Sequence, residues 1–179
     1  MKGIVFTEFI EMVEEKFGYE VTENMISNAN LPSNGAYTAV GTYDHSEMYS
    51  LIGELHRSTE IPVPDLMHTY GLHLFGALAK AYAPMLSGLS SAFEMLQSVD
   101  RYIHVEVRKL YPDAELPHFE IKDVDEKRMV MIYSSERRMS DVASGLIEGC
   151  LAHYKESATI HKELITEDGS KVKFEIVKN

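Results

Sequence analysis

One cysteine, Cys150, stands in a chain of 179 residues. It excludes an internal disulfide framework, a cysteine-rich zinc module and a haem attached through C-x-x-C-H. So sparing a use of cysteine points to a reducing compartment. Long apolar runs are missing as well: no stretch reaches the roughly 18 residues that mark a membrane span. The N-terminal residues MKGIVFTEFIEMVEEKFGY are interrupted by Glu8, Glu11, Glu14 and Glu15, unlike a secretory leader. The expected location is the cytoplasm. Positive charge is scarce: 17 Lys and Arg face 28 Asp and Glu, a formal charge of −11. Such a chain repels phosphate backbones, so nucleic acid is not an expected partner; without a spanning run, a membrane is not one either. G-x-G-x-x-G, P-loop, H-E-x-x-H and G-x-S-x-G motifs are all absent.

What is present is ordinary globular composition, 45% hydrophobic and 25% charged, which argues against a disordered or fibrous chain. A chain this long buries about 70% of its unfolded surface. Helical spacing dominates the first half. Val5, Phe6, Phe9, Ile10 and Val13 mark a helix over 3–17, stopped by Gly18. A short helix follows over 22–30, then the turn-rich 31–35. Asp44 or Ser46 caps a third helix, to about Ser58. After Ile61-Pro-Val-Pro64, a fourth runs from Asp65 to about Tyr82 with Leu66, Tyr70, Leu74 and Leu78 on one face. Ser90 or Ser91 opens a long helix to about Leu110 with the stripe Leu96, Val99, Ile103, Val107 and Leu110. The second half predicts strands over 118–124 and 127–134, a helix over 141–154, and a hairpin of 158–166 with 171–177 around an Asp-Gly turn. The expected class is α+β: a helical N-terminal part packed on a part with a four-stranded antiparallel sheet and helices. Residues 1–179 read as one domain, with a helical subdomain over about 1–62 and an α+β subdomain over about 63–179.

Few residues carry chemistry. Cys150 and His153 share a helix face, but a small buried thiol beside a surface histidine is the commoner outcome of that spacing. His68 and His73 lie five apart, a poor chelating offset. His104 flanks the apolar stripe; a partly buried structural histidine and an iron ligand both fit that setting. Tyr133, Ser135 and Arg137 point one way if the strand continues, presenting two hydroxyls and a guanidinium to a carboxylate. A solvated strand end fits them equally. Taken together, His104 and this triad are what a haem needs: an axial ligand and a clamp for two propionates.

At this point the sequence resembles the H-NOX (haem nitric oxide/oxygen binding) domain, also the sensor part of soluble guanylate cyclase. The resemblance spans essentially the whole chain. It rests on Met1-Lys-Gly-Ile-Val5, Ile103-His-Val105, Lys109-Leu-Tyr-Pro112, Leu116-Pro117, Tyr-x-Ser-x-Arg at 133–137 and Gly145-Leu-Ile-Glu-Gly149. The 29 residues from His104 to Tyr133 agree too. The resemblance implies non-covalent haem b, with His104 as proximal iron ligand and Tyr133, Ser135 and Arg137 on the propionates. It implies Pro117 pressing on the macrocycle, and Val5, Phe9, Leu74 and Leu78 lining the distal face.

Family members that hold oxygen carry a distal tyrosine five residues beyond the motif arginine; here that position is Val142. Oxygen draws charge onto its outer atom and needs a hydrogen-bond donor, which NO and CO need much less. The resemblance therefore implies a sensor of NO and CO, not stably of oxygen. His73 or Tyr70 remain as candidate distal donors. The family's zinc-binding variants need several cysteines, which Cys150 alone does not supply. With the chain ending at Asn179, output is expected to pass to a separate protein, typically a histidine kinase or diguanylate cyclase. Two other readings stay open: a haem-dependent enzyme using His104, and a haem-free interaction domain.

Overall fold

The computed structural model describes residues 1–179. Three helices build the N-terminal core. α1 (Gly3–Phe17) turns Phe6, Phe9, Met12 and Val13 inward, a spacing set by 3.6 residues per turn. Gly18 ends it at φ +86°, where a side chain would be strained. α2 is Tyr19–Asn28, starting three residues before the expected Thr22; Thr22 instead lies inside its first turns and donates its hydroxyl to Gly18 O at 3.1 Å. α3 (Ser46–Thr59) starts where the Asp44 carboxylate accepts the Ser46 amide at 2.8 Å.

α4 (Val63–Ala81) carries Pro64 in its first turn and serves two cores at once. Leu66, Met67, Tyr70 and Leu74 pack among the N-terminal helices. Phe75 packs with the sheet instead. A short turn, α5 (Ala83–Leu86), follows. α6 (Ala92–Ser98) begins with a reciprocal cap. Ser91 Oγ accepts the Glu94 amide at 3.2 Å while the Glu94 carboxylate accepts the Ser90 amide and hydroxyl, both at 2.8 Å.

The long helix expected over 90–110 is not one helix. A π-helical turn, Val99–Ile103, separates α6 from α7 (His104–Leu110). Leu110 is 56% exposed, so it leaves the apolar stripe assigned to it. A pattern read at 3.6 residues per turn cannot register the one extra residue of a π turn.

The sheet holds β1 (His118–Val124), β2 (Arg128–Ser134), β3 (Ala158–Leu164) and β4 (Lys171–Lys178). All neighbours are antiparallel, in the order β1-β2-β4-β3. Asp125 Oδ1 accepts the Lys127 and Arg128 amides and so tightens the first turn. β1 bulges at Lys122: Ile121 faces Met131 and Asp123 faces Val130. Met129, Met131 and Tyr133 of β2 and Val172, Phe174 and Ile176 of β4 share the second core with α6 and α8 (Ser140–His153). Their spacing of two is the strand period.

α4 and α8 cross backbone to backbone. A Cβ on Gly145 would lie 2.1 Å from His68 O and 2.9 Å from Gly71 Cα. Gly145→Ala therefore forces the helices apart, and chemical denaturation is expected to show a loss of about 1–3 kcal/mol. Unchanged stability would mean that the crossing yields at no cost. No helix is long and apolar enough to cross a membrane.

Candidate haem site

A cavity of about 300 Å³ lies among α1, α4, α6, α7, α8 and β2. Twenty-six of its 32 lining residues are hydrophobic. Small-molecule sites have this form: apolar walls with a few convergent polar groups. His104, Pro117, Tyr133, Ser135, Arg137, Val5, Leu74, Leu78 and Val142 all line it.

His104 opens α7 directly after the π turn and is 9% exposed. Its Nδ1 meets Asp100 Oδ1 at 2.8 Å. A carboxylate only accepts, so the ring places its Nδ1 proton there and leaves Nε2 as the nitrogen free to ligate. Burial pushes the His104 pKa down, against the pull of Asp100, which favours the neutral imidazole that a metal requires.

β2 ends at Ser134, and the triad continues into a turn rather than an extended strand. The Ser135 amide still donates to Ser170 O at 2.9 Å, while Ser135 Oγ accepts the Arg137 amide at 3.2 Å. This turn brings Tyr133, Ser135 and Arg137 to one cavity without strict alternation. Tyr133 is 2% exposed, and its hydroxyl oxygen accepts the Met139 amide at 3.0 Å. Burial raises its pKa, so the phenol keeps its proton as a donor. Arg137 meets a carboxylate already, Glu115 Oε2 at 2.7 Å. The arginine side chain is 15% exposed and the glutamate 82%, so the cation is fixed and the anion reaches in from outside. A guanidinium in this state suits carboxylates.

Phe9 does not line the cavity. It is fully buried in the N-terminal core, edge-on to Tyr70 with ring centroids 5.2 Å apart. Ile4 and Val5 form the α1 part of the wall instead. Of the two candidate distal donors, Tyr70 is engaged elsewhere and His73 lies beside two carboxylates without a hydrogen bond. Tyr70 donates to Val5 O at 2.5 Å, and His73 sits 3.4 Å from Glu8 and 3.8 Å from Glu15. Neither lines the cavity.

Cys150 is fully buried with its Sγ 3.5 Å from Met95 Sδ, and burial pushes the thiol up to about 12. His153 is exposed and packs edge-on against Phe75 at 5.8 Å. No cluster of three or more His, Cys, Asp or Glu is placed to hold a metal ion.

Sequence reasoning missed Asp100, Glu115 and Phe119. The Phe119 ring stands between the site's two halves, 6.1 Å from His104 and 5.6 Å from Tyr133. Asp100 alone left a signal, its i,i+4 spacing to His104.

This donor set fits a flat, mostly apolar group that carries a metal and carboxylates. The model of the haem-NO-binding family matches residues 2–162. The chain belongs to the H-NOX family. That family binds haem, with iron, and senses diatomic gases. Solved H-NOX structures share the whole fold. The unliganded Fe(II) protein from K. algicida is 44% identical, with a TM-score of 0.95 over 100% of this chain and 97% of that one. The Shewanella woodyi H-NOX in its Fe(II)CO state is 36% identical, with a TM-score of 0.84 over 100% and 95%. The S. oneidensis H-NOX in its Fe(II)NO state is 25% identical, with a TM-score of 0.92 over 100% and 99%.

Proposed function

We propose that this H-NOX domain holds non-covalent haem b, senses NO and CO at ferrous iron without stably holding oxygen, and reports to a separate signalling protein. The observation that carries the reading is the placement of His104, buried at an apolar cavity with Nδ1 engaged and Nε2 free. When bound, haem supplies an iron with an open coordination position for a diatomic gas. His104 would hold the iron through Nε2. Tyr133 and Ser135 would donate hydrogen bonds to the propionates, and Arg137, now paired with Glu115, would pair with one of them. Pro117, on the cavity wall, would lie against the haem. Val5, Leu74, Leu78 and Val142 make an apolar distal wall, which offers no proton to oxygen and no acid or base for peroxide chemistry. A sensor rather than a catalyst fits that wall.

In this reading the signal is a shift between a helical part, about 1–62, and an α+β part, about 63–179. α4 belongs to both cores, so it is the element that such a shift must strain. A gas moves the equilibrium only by its difference in affinity for the two arrangements. The proposed partner is a cytoplasmic histidine kinase or diguanylate cyclase, by resemblance to bacterial members of the family. The test of the gas preference is an NO and air titration of the reduced, haem-loaded protein, followed by absorption.

A further inference from the structure

We propose that Asp100 is a positioning residue that sets how strongly His104 holds the iron. The inference rests on the haem reading of the site and concerns a residue outside the family motifs quoted for this sequence. Asp100 lies inside the π turn, where the His104 amide donates to Val99 O, five residues back. π turns sit disproportionately at functional sites. Both Asp100 oxygens are used. Oδ1 meets His104 Nδ1 at 2.8 Å, and Oδ2 accepts the Phe119 amide at 3.0 Å. The His118 ring, at the start of β1, also pairs with Oδ2. The carboxylate therefore cannot rotate away from His104 without breaking its bonds to β1. Its side chain is only 20% exposed, so water screens it incompletely.

A carboxylate on the Nδ1 proton draws that proton toward itself. Electron density then moves to Nε2, which becomes a stronger donor to a metal. Hydrogen bonding to an axial ligand is one of the main levers on iron potential. A more basic imidazole favours ferric over ferrous iron. It also resists release when a ligand binds on the opposite side. Asp100 thus ties two properties together: the strength of the His104 bond, and the attachment of α7 to the sheet through Phe119. A purely structural Asp100 would hold α7 to β1 and leave His104 electronically unchanged.

The two roles separate by resonance Raman spectroscopy and potentiometry on haem-loaded protein, comparing wild type, Asp100→Asn and Asp100→Ala. Asparagine keeps the shape and an acceptor for Nδ1–H but removes the charge. The expected result is an iron–histidine stretch that shifts to lower frequency in Asp100→Asn and further in Asp100→Ala. The midpoint potential rises in the same order, and NO converts more of each variant to the five-coordinate form. An unchanged stretch and potential, with only a lower melting temperature, would overturn the proposal. If Asp100→Ala does not fold or hold haem, Asp100→Asn decides by the same two readouts. A wild-type protein that holds haem without any iron–histidine stretch would instead overturn the assignment of His104, and the Asp100 inference with it.

Discussion

His104→Gly is expected to remove the iron–histidine bond and cut haem affinity by more than about 100-fold, since even residues that only support a metal ligand typically cost about 10–100-fold. His104 is the only imidazole on the cavity wall. What remains for the haem is apolar contact and the Tyr133, Ser135 and Arg137 clamp. In the proposed site that clamp would act on the carboxylate edge, not on the iron. Added imidazole is expected to restore the wild-type absorption bands, because glycine leaves a hole of the right shape beside Asp100. Haem titration followed by absorption measures both effects. Unchanged affinity and spectra would make His104 a core histidine and overturn its assignment as the iron ligand; a wild-type protein that takes up no haem would leave the interaction-domain reading.

Val142→Tyr is expected to let the ferrous protein hold oxygen. Val142 is 8% exposed on α8 and faces the cavity beside Leu74 and Leu78. A ligand that gathers negative charge gains from a phenol proton, and oxygen gathers far more than NO or CO. A hydrogen bond to a charged group is worth about 1.5–3 kcal/mol. That corresponds to oxygen dissociation slower by about 10–100-fold. The larger side chain fills cavity space, so the overpacking cost is expected at the low end of about 1–3 kcal/mol. Stopped-flow oxygen dissociation checks this against wild type. A variant that folds, binds haem and still oxidises in air as fast as wild type would show that Val142 does not face the gas.

Most of the architecture was legible because it follows local periods. Phe6, Phe9 and Val13 mark α1, and Met129 to Ile132 mark a buried strand. Asp168-Gly169 marks the last hairpin, where Gly169 takes φ +73°. The expected long helix failed where one extra residue breaks its period, at the π turn of Val99–Ile103. The site was legible only as separate pieces. His104 and the triad lie 29 residues apart, and nothing local shows that the turn after Ser134 swings Arg137 back to the cavity. Phe9 and Val5 both read as inward-facing on α1, yet Phe9 belongs to the helical core and Val5 to the cavity. A helix face can serve two cavities at once, and periodicity does not say which.

The most direct test is an anaerobic absorption spectrum of the reduced, haem-loaded protein before NO, after NO, and then, in a separate sample, after air. The expected result is a Soret band that moves with NO to a five-coordinate form, with no stable oxygen complex and only slow oxidation in air. A stable oxygen complex would contradict the reading of the apolar wall around Val142, and failure to retain haem would contradict the site as a whole.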